Sequence, residues 1–163
     1  MIRARRPTCD ALNMVRQKLR SYADRGVFRG FCEHKTSGGL PAFRFLWLVD
    51  RPMELIVDTS RNVLRFQQLL PDVPARSEMY AQLKCFIAER HNDDLPEHRR
   101  VDPARVTASC SNRSGRVSLT LAVNPDQFEY GAGRIVNLVH ELFVYLRDSH
   151  PEYLMESFDA PRE

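Results

Sequence analysis

From Tyr130 to Phe158 the chain reads YGAGRIVNLVHELFVYLRDSHPEYLMESF, and no other stretch limits the fold as much. At 3.6 residues per turn, Ile135, Val139, Leu142 and Leu146 stack along one line. Val136, Leu138, Phe143 and Tyr145 widen that line to about half the circumference, with Arg134, Asn137, Glu141 and Asp148 opposite. A stripe this wide suits a helix laid across a sheet, whereas a coiled-coil seam needs only a narrow one. Pro151 then restarts a short helix at its first turn, with Ser149 or His150 as cap.

The rest of the chain supplies a sheet for that helix. Thr8 can cap a first helix to about Asp24, burying Ala11, Leu12, Val15, Leu19 and Tyr22, and Gly26 stops it. From Val27 the period turns from helical to alternating. VFRGFCEHK, AFRFLWLVD, MELIVD and VLRFQQLL read as strands, broken at the loop 36–41, at Asp50-Arg51-Pro52 and at residues 59–62. Phe43, Phe45, Trp47 and Val49 share one face, expected to be core. No intervening segment is long enough for a crossover helix, so the strands are expected as an antiparallel meander of three or four. A second helix is expected over 75–90, with Met79, Tyr80, Leu83, Phe86 and Ile87 inside. Then RVTASC and RVSLTLAV flank the hairpin turn 111–115. The expected fold is a single α+β domain spanning 1–163, with helices on an antiparallel sheet. Its order is helix, meander, helix, β-hairpin, helix, with loose ends at 1–7 and 159–163.

Composition narrows the function classes. Four cysteines without a CxxC pair point to reduced thiols. No apolar run approaches a membrane span, and the basic start MIRARRPT lacks the apolar core of a signal peptide, so cytoplasmic residence is expected. Basic and acidic residues number 24 and 21 and are interleaved, which disfavours nucleic acid as partner. Arg3, Arg5, Arg6, Arg99 and Arg100 are read as solvated charges.

Candidate chemistry is sparse. His140-Glu141 opens like HExxH, but Val144 stands where the second histidine belongs, and the wheel points Glu141 outward. The loop after the second helix gathers His91, Asp93, Asp94, Glu97, His98 and Asp102, and an enzyme or metal binder would use Asp93, Asp94, His98 and Asp102 from it. Their spacing fixes no coordination geometry, so a charged, solvated loop is the favoured reading. Cys32 and His34 alternate on one strand face, although a buried Cys32 is the commoner fate of such a residue. Gly131-Ala132-Gly133 is placed before the last helix, where glycines more often serve a turn than cradle an anion. On the second helix Ala81, Cys85 and Ala88 lie together among charges, a small-residue surface that lets another backbone approach. Cys85 is expected to be open to thiol reagents.

The order helix–meander–helix–hairpin–helix, over about Thr8 to Phe158, resembles the bacterial type III secretion chaperone-like superfamily, including its YbjN-like branch. The closing stretch LVHELFVYLRDSHPEYLMESFDAP is similar to the end of a group of bacterial proteins. The resemblance implies an α+β homodimer that holds a partner polypeptide, with no catalytic residues and no cofactor. This chain is basic where secretion chaperones are acidic, and it carries an additional strand at Asn62–Leu70. The expectation is therefore a non-enzymatic, chaperone-like interaction domain without cofactor or metal. The alternative is a small enzyme or ligand binder built on the 91–102 loop.

Overall fold

The computed structural model describes residues 7–158. The expected loose ends, and with them Arg3, Arg5 and Arg6, lie outside the described residues, except Pro7, which opens the first helix. In chain order the elements are α1 (Pro7–Asp24), β1 (Arg29–Lys35), β2 (Pro41–Trp47), β3 (Val49–Asp58) and β4 (Val63–Leu70). They continue with α2 (Glu78–Glu89), β5 (Val106–Arg113), β6 (Arg116–Val123), α3 (Phe128–Ser149) and α4 (Pro151–Phe158). The α+β expectation is met, but its topology is corrected in one respect. Meander and hairpin are not separate units: β6 pairs with β4, giving one six-stranded antiparallel sheet in the order β1-β2-β3-β4-β6-β5.

The register shows how alternation builds a two-sided sheet. One row crosses all six strands as Glu33, Phe43, Leu55, Phe66, Leu119 and Cys110. Its four central members are almost wholly buried. A neighbouring row reads His34, Ala42, Ile56, Arg65, Thr120 and Ser109 and faces the other way. The helices lie on the first face. Of the stripe expected of the last long helix, Ile135, Val136, Leu138, Val139, Leu142, Phe143 and Leu146 are buried against the sheet and α1, whereas Tyr145 is only half-buried. Beside α3 lies α1, packed closely against it and tied to β1 by a two-pronged pair in which Arg16 Nε and Nη2 each donate to a Glu33 carboxylate oxygen at 2.7 Å. That guanidinium holds the Glu33 carboxyl below its ordinary range.

Several local boundaries differ from the sequence reading, each for a physical reason. The turn between β2 and β3 centres on Leu48 at φ 65°, with Trp47 paired to Val49, and Asp50-Arg51-Pro52 runs inside β3. Pro52 pairs with Leu46 of β2 but lies outside the β3–β4 ladder, which begins at Leu55, so it occupies the edge-like kind of position where proline is found in sheets. The β5–β6 connection is tighter than 111–115. It is Ser114-Gly115 alone, at φ 54° and 84°, a left-handed pair of the kind that suits the twist of a hairpin. Helix α2 starts at Glu78 rather than 75, where Ser77 Oγ accepts from the Tyr80 amide at 3.1 Å. Gly131 and Gly133 sit inside α3 and not ahead of it.

The short α4 is held by Tyr153, whose hydroxyl donates to the Pro71 carbonyl at 2.6 Å, and by Phe158 packed edge-on against Phe143. Burial pushes the Tyr153 phenol far above its ordinary range.

Both sheet edges carry features that discourage strand addition. On β1 the register slips between Arg29 and Cys32, where Gly30 takes φ 63°, and Glu33 and Lys35 follow. On β5 the Ala108 amide donates to His91 Nε2 at 3.0 Å, while His91 Nδ1 lies 3.2 Å from the Ala88 carbonyl. The neutral ring with its hydrogen on Nδ1 satisfies both contacts. Replacing His91 with alanine leaves that half-buried amide without its acceptor. The expected cost is about 1–2 kcal/mol by chemical denaturation, with faster hydrogen exchange at Ala108. Unchanged exchange there would show that the ring does not guard the edge.

Candidate functional site

The α1 and α3 helices are in close contact, but α2 meets α3 through long side chains. Phe86 and Tyr145 stack at 4.7 Å, and the Arg90 guanidinium lies 4.5 Å over the Phe86 ring. Arg90 also pairs with Glu141 at 3.5 Å. At the other end of this column, His150 packs edge-on to Tyr145 and its Nε2 lies 2.8 Å from Gln82 Oε1. The side-chain column holds the two helices apart, and an open groove runs along the seam.

The groove consists of two hollows that share Phe86 and Tyr145 as their dividing ridge. The larger, ≈ 490 Å³, is lined by Arg90, His98, Arg99, Asn137, His140, Glu141 and Val144 as well. The smaller, ≈ 290 Å³, adds Glu78, Ala81, Gln82, Cys85 and Glu89. Burial, then nearby Glu89 and Cys85, push the Tyr145 phenol up.

The residues singled out from the sequence distribute unevenly. Ala81 and Cys85 line the smaller hollow, and Ala88 is exposed on the same helix without lining either. Of the four loop candidates, His98 alone lines a hollow. Asp93 and Asp94 are exposed, and Asp102 turns back to its own loop by accepting from the Ala104 amide at 3.0 Å. The loop is pinned by ordinary structural bonds: the Val101 amide donates to the Arg90 carbonyl, and the Asp102 amide to the Tyr130 hydroxyl. Among the described residues no group of three or more His, Cys, Asp and Glu is placed to hold a metal ion. No helix among them is long and apolar enough to cross a membrane.

Two expectations are corrected. His140 and Glu141 do share a site, because α2 stands off far enough for both to face the larger hollow; the helical wheel alone had put Glu141 in solvent. Cys32 is exposed rather than buried, since its row lies on the open face of the sheet. Phe43, Phe45 and Trp47 are core, which leaves them unable to stack on nucleic-acid bases.

Cysteine access gives a direct check of this geometry. Cys32 and Cys85 are exposed, whereas Cys110 is half-buried and burial pushes its thiol up. Brief maleimide treatment at pH 8, read peptide by peptide, is expected to modify Cys32 and Cys85 well before Cys110. Labelling of Cys110 at the same rate as Cys85 would contradict the placement of α2 over β5.

Comparison of the chain with known protein families, with curated proteins and with solved structures finds no match.

Proposed function

We propose that this domain is a non-enzymatic, chaperone-like interaction module, working as a homodimer, that takes a segment of another protein into the groove between α2 and α3. The observation that supports this reading is the groove itself, walled by Ala81 and Cys85 and ridged by Phe86 and Tyr145. Small residues one helical turn apart let a second helix come close, and an aromatic ridge gives it something apolar to cover. The sheet edges are the weaker candidates, being bulged and charged on one side and capped by His91 on the other.

A photo-crosslinking side chain at Ala81 is the direct test, with a control at Thr107 on the open face of the sheet. A partner protein captured from Ala81 and not from Thr107, and lost when Cys85 carries a bulky maleimide, is the expected result. Light scattering is expected to give twice the 18.9 kDa mass of the chain. A strict monomer from which Ala81 crosslinks nothing would overturn the proposal.

A further inference from the structure

The two ends of the α2–α3 groove differ in charge, and the difference says what kind of segment fits. In the larger hollow Arg99, His98 and His140 stand with Arg90, while Glu141 is engaged by Arg90 at 3.5 Å. Arg99 has no ion-pair partner among the described residues, so that end offers an uncommitted cation and two imidazoles able to donate hydrogen bonds. In the smaller hollow the charged groups are Glu78, at the amino end of α2 about three turns from Arg90, and Glu89, which adjoins Arg90 in sequence, so Glu78 marks the acidic end. Between them stands the Phe86–Tyr145 ridge, which carries no charge.

We infer that the groove binds an amphipathic helical segment of a partner protein in one orientation, its carboxylates against Arg99, His98 and His140 and its basic residues or amino end against Glu78. This inference rests on the groove being the partner site. Complementary charge fixes orientation and register, and it excludes a segment entered backwards by setting like charges together. The helix macrodipole adds to the charge pattern, because the acidic end of the groove suits the positive amino end of a docked helix. A segment of about twelve residues, roughly 18 Å as a helix, offers enough turns to cover the ridge and reach both ends. The partner's surface is then recognised by order along its sequence: basic, apolar, acidic.

A phage-displayed library of random peptides of about that length, panned against the full chain, tests the inference. The expected winners place Lys or Arg towards one end, apolar residues at helical spacing, and Asp or Glu towards the other. Their affinity is expected to fall at least about tenfold in Arg99→Glu, a change at an exposed position, and to vanish when Cys85 carries a bulky maleimide. Peptides with the charge order reversed are expected to favour Arg99→Glu over the native chain. Winners that maleimide displaces but that show no charge order would overturn the polarity while leaving the groove as the partner site. Winners indifferent to the maleimide, or no winners at all, would overturn both. Winners that reproduce a segment of this chain would make a second copy the occupant and overturn the inference of a different partner.

Discussion

Replacing Phe45 with alanine is expected to remove about 3–5 kcal/mol of stability, a large share of the roughly 5–15 kcal/mol that a domain of this size possesses. Phe45 stands on the inner face of β2 and is 1% exposed. Its ring stacks on Phe28 at 4.0 Å and 16°, and meets Phe66 edge-on at 6.1 Å. Deleting it removes the shared member of that aromatic cluster, and β-sheet neighbours fixed by ladders on both sides cannot collapse into the space. In urea, with a slope of about 2 kcal/mol per molar, the unfolding midpoint is expected to fall by roughly 2 M. Phe31, half-buried at the edge of the same cluster, provides the comparison: its alanine variant is expected to lose about 1–2 kcal/mol, because less area leaves water there on folding. Equal losses at the two positions would mean that the cluster is not centred on Phe45.

Phe45 is also a case in which the sequence was sufficient. Its alternation with Phe43 and Trp47 is local, and a period of two states which face a residue takes whatever the partner strands are. The same holds for the buried stripe of α3, where seven of the apolar positions follow from the 3.6-residue period. What local pattern does not carry is pairing between distant segments. Nothing in VLRFQQLL or RVSLTLAV names the other as neighbour, so the continuity of meander and hairpin through β4 and β6 became visible only in three dimensions. Turn chemistry misled most at the β2–β3 connection. Asp50-Arg51-Pro52 has the composition of a turn, whereas the turn is made by Leu48, a residue seldom found at positive φ.

The candidate site divides along the same line. Ala81 and Cys85 were legible because they share a face of one helix. The larger hollow was not, since its walls come from α2, from the loop after it and from α3. His98 and His140 are far apart in sequence, and whether Glu141 meets solvent or a neighbour depends on where Arg90 of another helix lies. A wheel describes one helix at a time. A groove belongs to two.

How closely α3 lies on the sheet, and so where one wall of that groove stands, rests on Gly131. Replacing it with valine is expected to cost about 2–3 kcal/mol, through overpacking together with the lower helix propensity of a β-branched residue. A Cβ at this position would lie 3.1 Å from Val123 Cγ2 and 3.4 Å from Leu64 Cδ1, side chains of β6 and β4 that are themselves buried. Alanine adds that single carbon and gains up to about 1 kcal/mol of helix propensity, so Gly131→Ala is expected to be nearly neutral. Valine adds two further methyl groups against Val123 and Leu64, and α3 has to lift to admit them. Gly133, two residues on, separates crowding from propensity: there a Cβ would meet Lys18 Cε at 3.0 Å, near the movable end of a flexible side chain. Gly133→Ala is accordingly expected to stabilise the chain by about 0.5–1 kcal/mol. Thermal and urea unfolding of the three variants gives the order Gly133→Ala, Gly131→Ala, Gly131→Val from most to least stable. A tolerated valine would mean that α3 rides higher than this and that the α2–α3 groove has a different depth, because lifting α3 also moves Tyr145 away from Phe86 and closes or widens both hollows at once.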